Sequence, residues 1–267
     1  MPIPPKPAAE KAAGAAMFAD ADVARCYAHR PPYAPDLYPF LLQRVAGRGR
    51  ALDLGCGPGV IAIVLADHFA QVTALDPAAA MIEAGRAADA GRHGNIVWTC
   101  RRAEDLSTDQ TFDLVTAGTA IHWMDHDVLF PKLAAITPLL AVIGADGQER
   151  PPCDLGAWLE FKTRWLARDG RVYDLAGLNA DARRYEPWLD IAGRAQFAFT
   201  FRQSVKDFTA SLHSTATWAR AAMGQALAAE FDGELEALLA PYAKDGLLKL
   251  DLVSELTWGA PRRAPRA

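Results

Sequence analysis

The stretch Ala51-Leu52-Asp53-Leu54-Gly55-Cys56-Gly57-Pro58-Gly59-Val60 constrains this chain more than any other. Apolar residues run into Asp53 and then into three glycines at alternating positions. An apolar run, Val60 to Ala66, follows and is long enough for a helix. Strand, glycine turn and helix open a nucleotide-binding βαβ unit. Glycine is needed there because the turn takes unusual backbone angles and because a ligand must touch bare backbone. The helix after it would aim free N–H groups and a positive dipole end at that ligand.

The glycine spacing narrows the ligand. A dinucleotide fingerprint places its third glycine three residues after the second. Here the third is Gly59, two after Gly57, and the sixth position is Val60. The string Leu52-Asp-Leu-Gly-Cys-Gly-Pro-Gly59 resembles motif I of the class I S-adenosylmethionine (SAM) dependent methyltransferases. That resemblance implies SAM as cofactor, held at Asp53, Gly55, Cys56, Gly57 and Gly59. It also implies an α/β fold: a Rossmann-like, seven-stranded, mostly parallel sheet with helices on both faces and an antiparallel last strand.

The neighbouring segments fit the same pattern. Gln71 to Leu75 reads as a buried strand ending in Asp76-Pro77, where a carboxylate accepts hydrogen bonds from ribose hydroxyls. Met81, on the helix from Ala78 to Arg86, can lie along the adenine face. The strand Ile96–Cys100 leads to Ala103-Glu104-Asp105-Leu106. This resembles the class I segment in which a small residue admits the adenine ring and an acidic one, Glu104 or Asp105, faces its amino group. Asp113 opens a fourth strand that ends near Thr119, a further cofactor position.

Two segments resemble a small-molecule subgroup that includes the trans-aconitate methyltransferases. One is Tyr27-Ala-His-Arg30-Pro31-Pro32-Tyr33, which precedes the glycine turn and cannot be regular helix through its prolines. The resemblance implies a cover over the SAM pocket, with Tyr27 and Arg30 on the cofactor and Tyr33 toward the substrate. Arg30 would pair with the methionine carboxylate. The other is His122-Trp123-Met124-Asp125, just past the fourth strand, where open α/β sheets bind ligands. His122 is the candidate catalytic group, as base or carboxylate holder, and His122 and Trp123 are candidate substrate contacts. The spacing of His122 and His126 alone makes no metal site, and none is expected.

The chain ends are less informative. Residues 1 to 16 are rich in Pro and Ala and are expected to be a disordered lead. The methyltransferase domain is expected over 17–260, with a SAM-binding core at about 37–145 and an acceptor or cap part at about 146–248. Trp158, Phe161, Trp165 and Leu166 recur at helical spacing. Phe197–Phe201 and Lys249–Trp258 alternate as strands six and seven, with helices near 205–219 and 225–240 between them. These helices, with those after strand five, are expected to cap the acceptor pocket. Residues 261–267 form a basic tail, expected to be disordered. Pro138 runs straight into strand five, without the Pro-Gly-Gly usual in the family, so that turn must be built differently.

Composition sets the remaining bounds. With 267 residues, 51% hydrophobic and 22% charged, the chain is globular in type. A net charge of −4 speaks against a nucleic-acid partner. Four dispersed cysteines form no C-x-x-C pair, which suggests a reducing, cytoplasmic setting. No membrane span is expected. The function implied is methyl transfer from SAM to an O or N atom of a small-molecule acceptor. Open alternatives are a SAM-binding cyclase or decarboxylase, an NAD(P)-binding oxidoreductase, which the glycine spacing disfavours, and a non-catalytic SAM-binding protein.

Overall fold

A computed structural model describes residues 16–148, 150–168, 183–215 and 217–266. Residues 1–15 of the expected 1–16 lead lie outside them. A short 3-10 turn, Met17–Ala19, precedes α1 (Ala21–Tyr27), which Asp20 caps by accepting from the backbone N–H groups of Asp22 and Val23. The proline segment then leads to α2 (Leu37–Leu42). The central part alternates: β1 (Arg50–Leu54), α3 (Ala62–Ala66), β2 (Gln71–Asp76), α4 (Ala79–Asp89), β3 (Ile96–Cys100), β4 (Leu114–Gly118), α5 (His126–Ile136) and β5 (Leu140–Asp146). The C-terminal part holds α6 (Leu155–Arg168), β6 (Leu189–Ser204), α7 (Val205–Leu212), α8 (Arg220–Met223), α9 (Gln225–Leu239) and β7 (Leu247–Pro261).

The strands form one seven-stranded sheet in the order β3-β2-β1-β4-β5-β7-β6. The first five are parallel, and β7 runs antiparallel between β5 and β6. This matches the fold expected from the sequence. The chain leaves β1 toward β2 and β3, then returns to β4 on β1's other side. A crevice opens where the order reverses, at the carboxyl ends of β1 and β4.

Strand period two sorts the core onto two faces. Ala51, Leu114, Ala141 and Ile143 pack with Leu37, Leu41, Ile61 and Leu65 on one face. Leu52, Leu54, Val115, Leu140 and Val142 pack with Leu129, Phe130 and Leu133 of α5 on the other. Both faces are covered, so these strands read as apolar runs, as parallel strands do.

Two details differ from the sequence reading, and a third fills in what it left open. β6 and β7 are far longer than the alternating cores at 197–201 and 249–258. They pair from Leu189–Pro261 to Ser204–Leu247, through a bulge at Ile191/Gly193. Gly193 sits at this bulge. Glycine is required there because a Cβ would meet the Trp258 ring at 2.4 Å. The basic tail is ordered as far as Arg266: Arg262 and Arg266 both donate to Asp190 at 2.6 Å. The turn before β5 closes through Thr137, whose hydroxyl accepts from the Leu139 N–H at 3.2 Å and donates to its carbonyl at 3.0 Å.

Trp98 of β3 sets how closely α4 and the glycine turn approach the sheet. An added Cβ on Gly85 or on Gly59 would stand 2.4 Å from its ring. Alanine in a helix interior normally stabilises by about 1 kcal/mol over glycine. At Gly85 the clash outweighs that gain, since overpacking costs about 1–3 kcal/mol. Gly85→Ala is therefore expected to lower the midpoint of urea denaturation. An unchanged or higher midpoint would show that Trp98 yields without cost.

Candidate active site

The glycine turn takes the left-handed conformation three times, with φ of 60° at Gly55, 51° at Gly57 and 80° at Gly59. The glycines are not equivalent. A Cβ at Gly55 would meet that of Ala120 at 2.6 Å, and at Gly59 it would strike Trp98. At Gly57 the nearest atoms belong to the Tyr27 ring, 3.8 Å off, so a Cβ there would make only ordinary contact, and the position borders the cavity. Gly59 thus packs against the protein instead of bordering the cavity, contrary to its expected ligand contact. The helix after the turn begins only at Ala62.

Asp76 ends β2 and fastens the turn. Its Oδ2 accepts from the Gly57 N–H at 3.0 Å and its Oδ1 from the Ala78 N–H at 2.9 Å. Burial raises its pKa, and the two backbone N–H groups oppose that rise. Asp53 lies deeper. Its Oδ1 accepts from the Thr116 hydroxyl at 2.7 Å, while its buried Oδ2 has no hydrogen-bond partner. Burial pushes Asp53 up to about 7, against the Thr116 hydroxyl and the Ala62 backbone N–H, with Asp76 adding to the rise.

A cavity of about 780 Å³ opens over this turn. Gly55, Gly57, Asp76, Pro77 and Met81 line one side, and Ala103, Glu104, Thr119 and Trp123 line another, all expected from sequence. A second chamber of about 20 Å³, room for about one water, lies against Asp53, Gly55, Cys56, Tyr33 and Thr119. Tyr27 borders both spaces. Cys56 is buried beside the small chamber only, its Sγ 3.4 Å from the Gly57 carbonyl.

Of the two acidic candidates, the structure places Glu104 on the cavity and leaves Asp105 exposed outside it. Glu104 is braced twice from α5. Its Oε1 accepts from the Asp125 N–H at 2.8 Å, and its carbonyl accepts from Lys132 Nζ at 2.6 Å. Lys132 also donates to the Leu106 carbonyl at 3.1 Å. Nothing in the local sequence pointed to Lys132, because its partners are backbone carbonyls far away in the chain.

The cover segment differs from expectation at Arg30. Its Nε donates to Ser214 Oγ at 2.6 Å, an Nη to the Ser214 carbonyl at 2.9 Å, and its guanidinium lies 4.1 Å from the Tyr27 ring centre. Arg30 borders the small chamber and ties the segment to the C-terminal part, so its expected carboxylate grip is replaced by a structural bond. Tyr33 is buried. Its hydroxyl lies 3.2 Å from Thr119 Oγ1, and burial raises its pKa. Thr119 has φ of 46°, a genuine outlier for a β-branched residue, costing about 1–3 kcal/mol.

The imidazole on the cavity is that of His126, not His122. The 3-10 turn Ile121–Trp123 rotates His122 off the wall and against Trp123, with ring centres 4.9 Å apart. His126 opens α5, and its Nε2 lies 2.9 Å from the Ile121 carbonyl oxygen. The sequence reading weighed His126 as a metal partner for His122 and not as a wall residue. It also missed Phe18, Ala19, Arg184 and Trp188, which complete the wall. Phe18 meets Trp123 edge-on at 6.0 Å. Among the described residues, none of α6 to α9 lines the cavity. The C-terminal helices form a core of their own on the β6–β7 extension, around Trp165, Trp218 and Phe231.

Known proteins resemble this chain in sequence and fold. A family model described as "Methyltransferase domain" matches residues 51–144. A trans-aconitate 2-methyltransferase of Variovorax paradoxus is 35% identical over 133 residues, covering 46% of this chain and 49% of that protein. A ubiquinone biosynthesis O-methyltransferase of Nitrobacter winogradskyi is 27% identical over 129 residues, 47% of this chain and 49% of its own length. The chain spans about half the length of these curated relatives. Among solved structures, a protein of Anaeromyxobacter dehalogenans assigned as a type II methyltransferase matches with a TM-score of 0.61 at 22% identity. That match covers 88% of this chain and 99% of the other, and it speaks to the fold.

Residues 51–144 are a class I SAM-dependent methyltransferase domain.

SAM is the cofactor of this methyltransferase domain. The donor set tests the fit. SAM presents N–H and O–H donors on its ammonium, ribose and adenine. The chain presents acceptors: Asp76 and Glu104 on the cavity, and the unfilled Oδ2 of Asp53 beside it. Bare Gly57 leaves room for close approach. The residues present fit the group.

Asp53 also makes stability depend on pH. An unfolded Asp ionises near about 3.9. Between there and about 7 the folded protein holds a proton that the unfolded chain has lost, so stability falls as pH rises and levels off above about 7. Asp53→Asn removes this contribution. The ligand-free variant should gain on the wild type from pH 4 to 7, by roughly 1–4 kcal/mol. Parallel melting curves across that range would refute Asp53 as the source.

Proposed function

We propose that the protein transfers a methyl group from SAM to an O or N atom of a small-molecule acceptor. The observation that carries this is one cavity at the carboxyl ends of β1, β2 and β4, floored by bare Gly57 and walled by carboxylates. Asp76 would accept from the ribose hydroxyls, Glu104 from the adenine amino group and Asp53 from the ammonium. Met81 and Ala103 would flank the ring. Relatives named for trans-aconitate and for ubiquinone biosynthesis support a small-molecule acceptor. A net charge of −4 supports no nucleic-acid partner, and dispersed thiols support a cytoplasmic setting. Among the described residues no helix is long and apolar enough to cross a membrane.

SAM supplies the activated methyl on a sulfonium whose leaving group is a neutral thioether. The chain's task is alignment and exclusion of water. Phe18, Trp123 and Trp188 offer an apolar wall for the acceptor's body. A carboxylate acceptor needs no base. A hydroxyl or amine that must lose a proton would use His126, in place of the expected His122.

Calorimetry tests the cofactor reading. Asp76→Ala removes a charged acceptor worth about 1.5–3 kcal/mol, so SAM affinity should fall roughly tenfold to a hundredfold. Gly57→Val should abolish binding by filling the cavity floor. Unchanged affinity in either would defeat the assignment. A metabolite screen scored by S-adenosylhomocysteine release tests the reaction, and methylthioadenosine would indicate other SAM chemistry.

The two histidines separate by kinetics. For a hydroxyl or amine acceptor, His126→Gln should lower kcat by about 10²–10⁴-fold, and the wild-type rate should fall as pH drops. His122→Gln should remain near the wild-type rate. The opposite ranking would restore His122.

A further inference from the structure

The C-terminal helices form a separate core and, among the described residues, do not line the cavity. They do touch the element that closes it. Phe18, Ala19 and Tyr27, just before and at the end of α1, line the cavity. From inside, α1 is held by Val23 and Ala24, packed with Ala78, Met81 and Ala219. From outside, it is held by a charged cluster centred on Arg220.

Arg220 is the first residue of α8. One Nη lies 3.4 Å from Asp22 Oδ2 and 3.2 Å from Cys26 Sγ, both on α1. The other lies 3.3 Å from Asp232 Oδ2, on α9. Asp232 is itself held: its Oδ1 lies 2.5 Å from Nε2 of His213. His213 is fully buried, and its Nδ1 faces the Trp218 carbonyl at 2.6 Å. The cluster is therefore anchored in the C-terminal core and reaches α1 through a single guanidinium. His29–Asp207 and Arg30–Ser214 add ties further along the cover segment.

We propose that Arg220 is a positioning residue for cofactor binding, docking α1 onto the C-terminal helices and so holding Phe18 and Tyr27 on the cavity wall. This rests on the cavity being the SAM site. Arg220 bridges two carboxylates of opposite elements. Removing its charge loses both ion pairs and the Cys26 contact, leaving Asp22 with Arg25 and Asp232 with His213, each within its own side of the joint. Both ion pairs of Arg220 are partly buried, which keeps solvent screening incomplete. The C-terminal helices thus serve the site through α1.

The test uses the full chain, with Arg220→Met and Arg220→Lys beside the wild type. Calorimetry with SAM reads affinity. Amide hydrogen exchange over residues 17–30 of the ligand-free protein reads docking. Arg220→Met should weaken SAM roughly threefold to thirtyfold and speed exchange over 17–30, while kcat at saturating SAM stays within about twofold. Arg220→Lys should recover part of both. A folded Arg220→Met with wild-type affinity and wild-type exchange overturns the proposal. So does a general loss of melting temperature with affinity intact, since that is a merely structural role. If Arg220→Met does not fold, Asp22→Asn removes only the α1 end and is held to the same two readouts. Wild-type protein that fails to bind SAM would overturn the cofactor reading, while the exchange result would still decide whether Arg220 docks α1.

Discussion

The site depends on one carboxylate. Asp76 stands at the end of β2 and receives the backbone N–H of Gly57 from the neighbouring βα turn. The turn holds three left-handed residues and closes with the Gly59 N–H donating to the Cys56 carbonyl at 2.9 Å and the Cys56 N–H to the Leu75 carbonyl at 3.0 Å. The Gly57 N–H between them needs an acceptor of its own. Asp76 supplies that acceptor and spends only part of its capacity, since two oxygens offer about four lone-pair sites. The same residue can fix the turn and still meet a ligand. Burial makes such a carboxylate costly, and the two N–H groups recover part of the cost through charge-assisted bonds.

The other acidic residues follow a related logic with different supports. Glu104 is held at its side chain by the first turn of α5 and at its carbonyl by Lys132, two turns further on. One helix therefore places Glu104 and His126 on the same cavity. Asp53 is the least supported, with one oxygen bonded and one left bare in a buried place. That bare oxygen leaves capacity for a donor from outside the chain. Burial is what pushes Asp53 up to about 7.

The central fold was legible because its signals are local. Apolar runs of five or six residues, an acidic strand end and alternating glycines lie within short windows, and they map onto β1, β2 and β4. Gly55, Gly57, Asp76, Met81 and Thr119 were found this way, Ala103, Glu104 and Trp123 through the family resemblance, and all line the cavity. What was not legible depends on distant contacts or on one-residue geometry. Arg30 was read toward the cofactor, but its partner is Ser214, 184 positions away. His122 and His126 differ by one turn of chain, and a 3-10 turn decides which one faces inward. Gly59 belongs to the motif string, yet its absent side chain makes room for Trp98, which no motif reading weighs.

The long β6–β7 pair carries the same lesson to the level of architecture. Only Val253–Gly259 of β7 pairs with β5. Residues 247–252 pair with β6 alone, beyond the end of the common sheet. A two-stranded ribbon is marginal by itself and needs a third layer. Leu248, Leu250 and Leu252 point one way and pack beneath α6, α7 and α9, which supply that layer. The helices are therefore where they are because the ribbon must be covered. Covering it brings His213, Arg220 and Asp232 beside α1, while the cavity keeps walls from the N-terminal segment and from Arg184 and Trp188. A chain that builds its wall from its own N-terminus needs something to hold that wall, and the covered ribbon provides it.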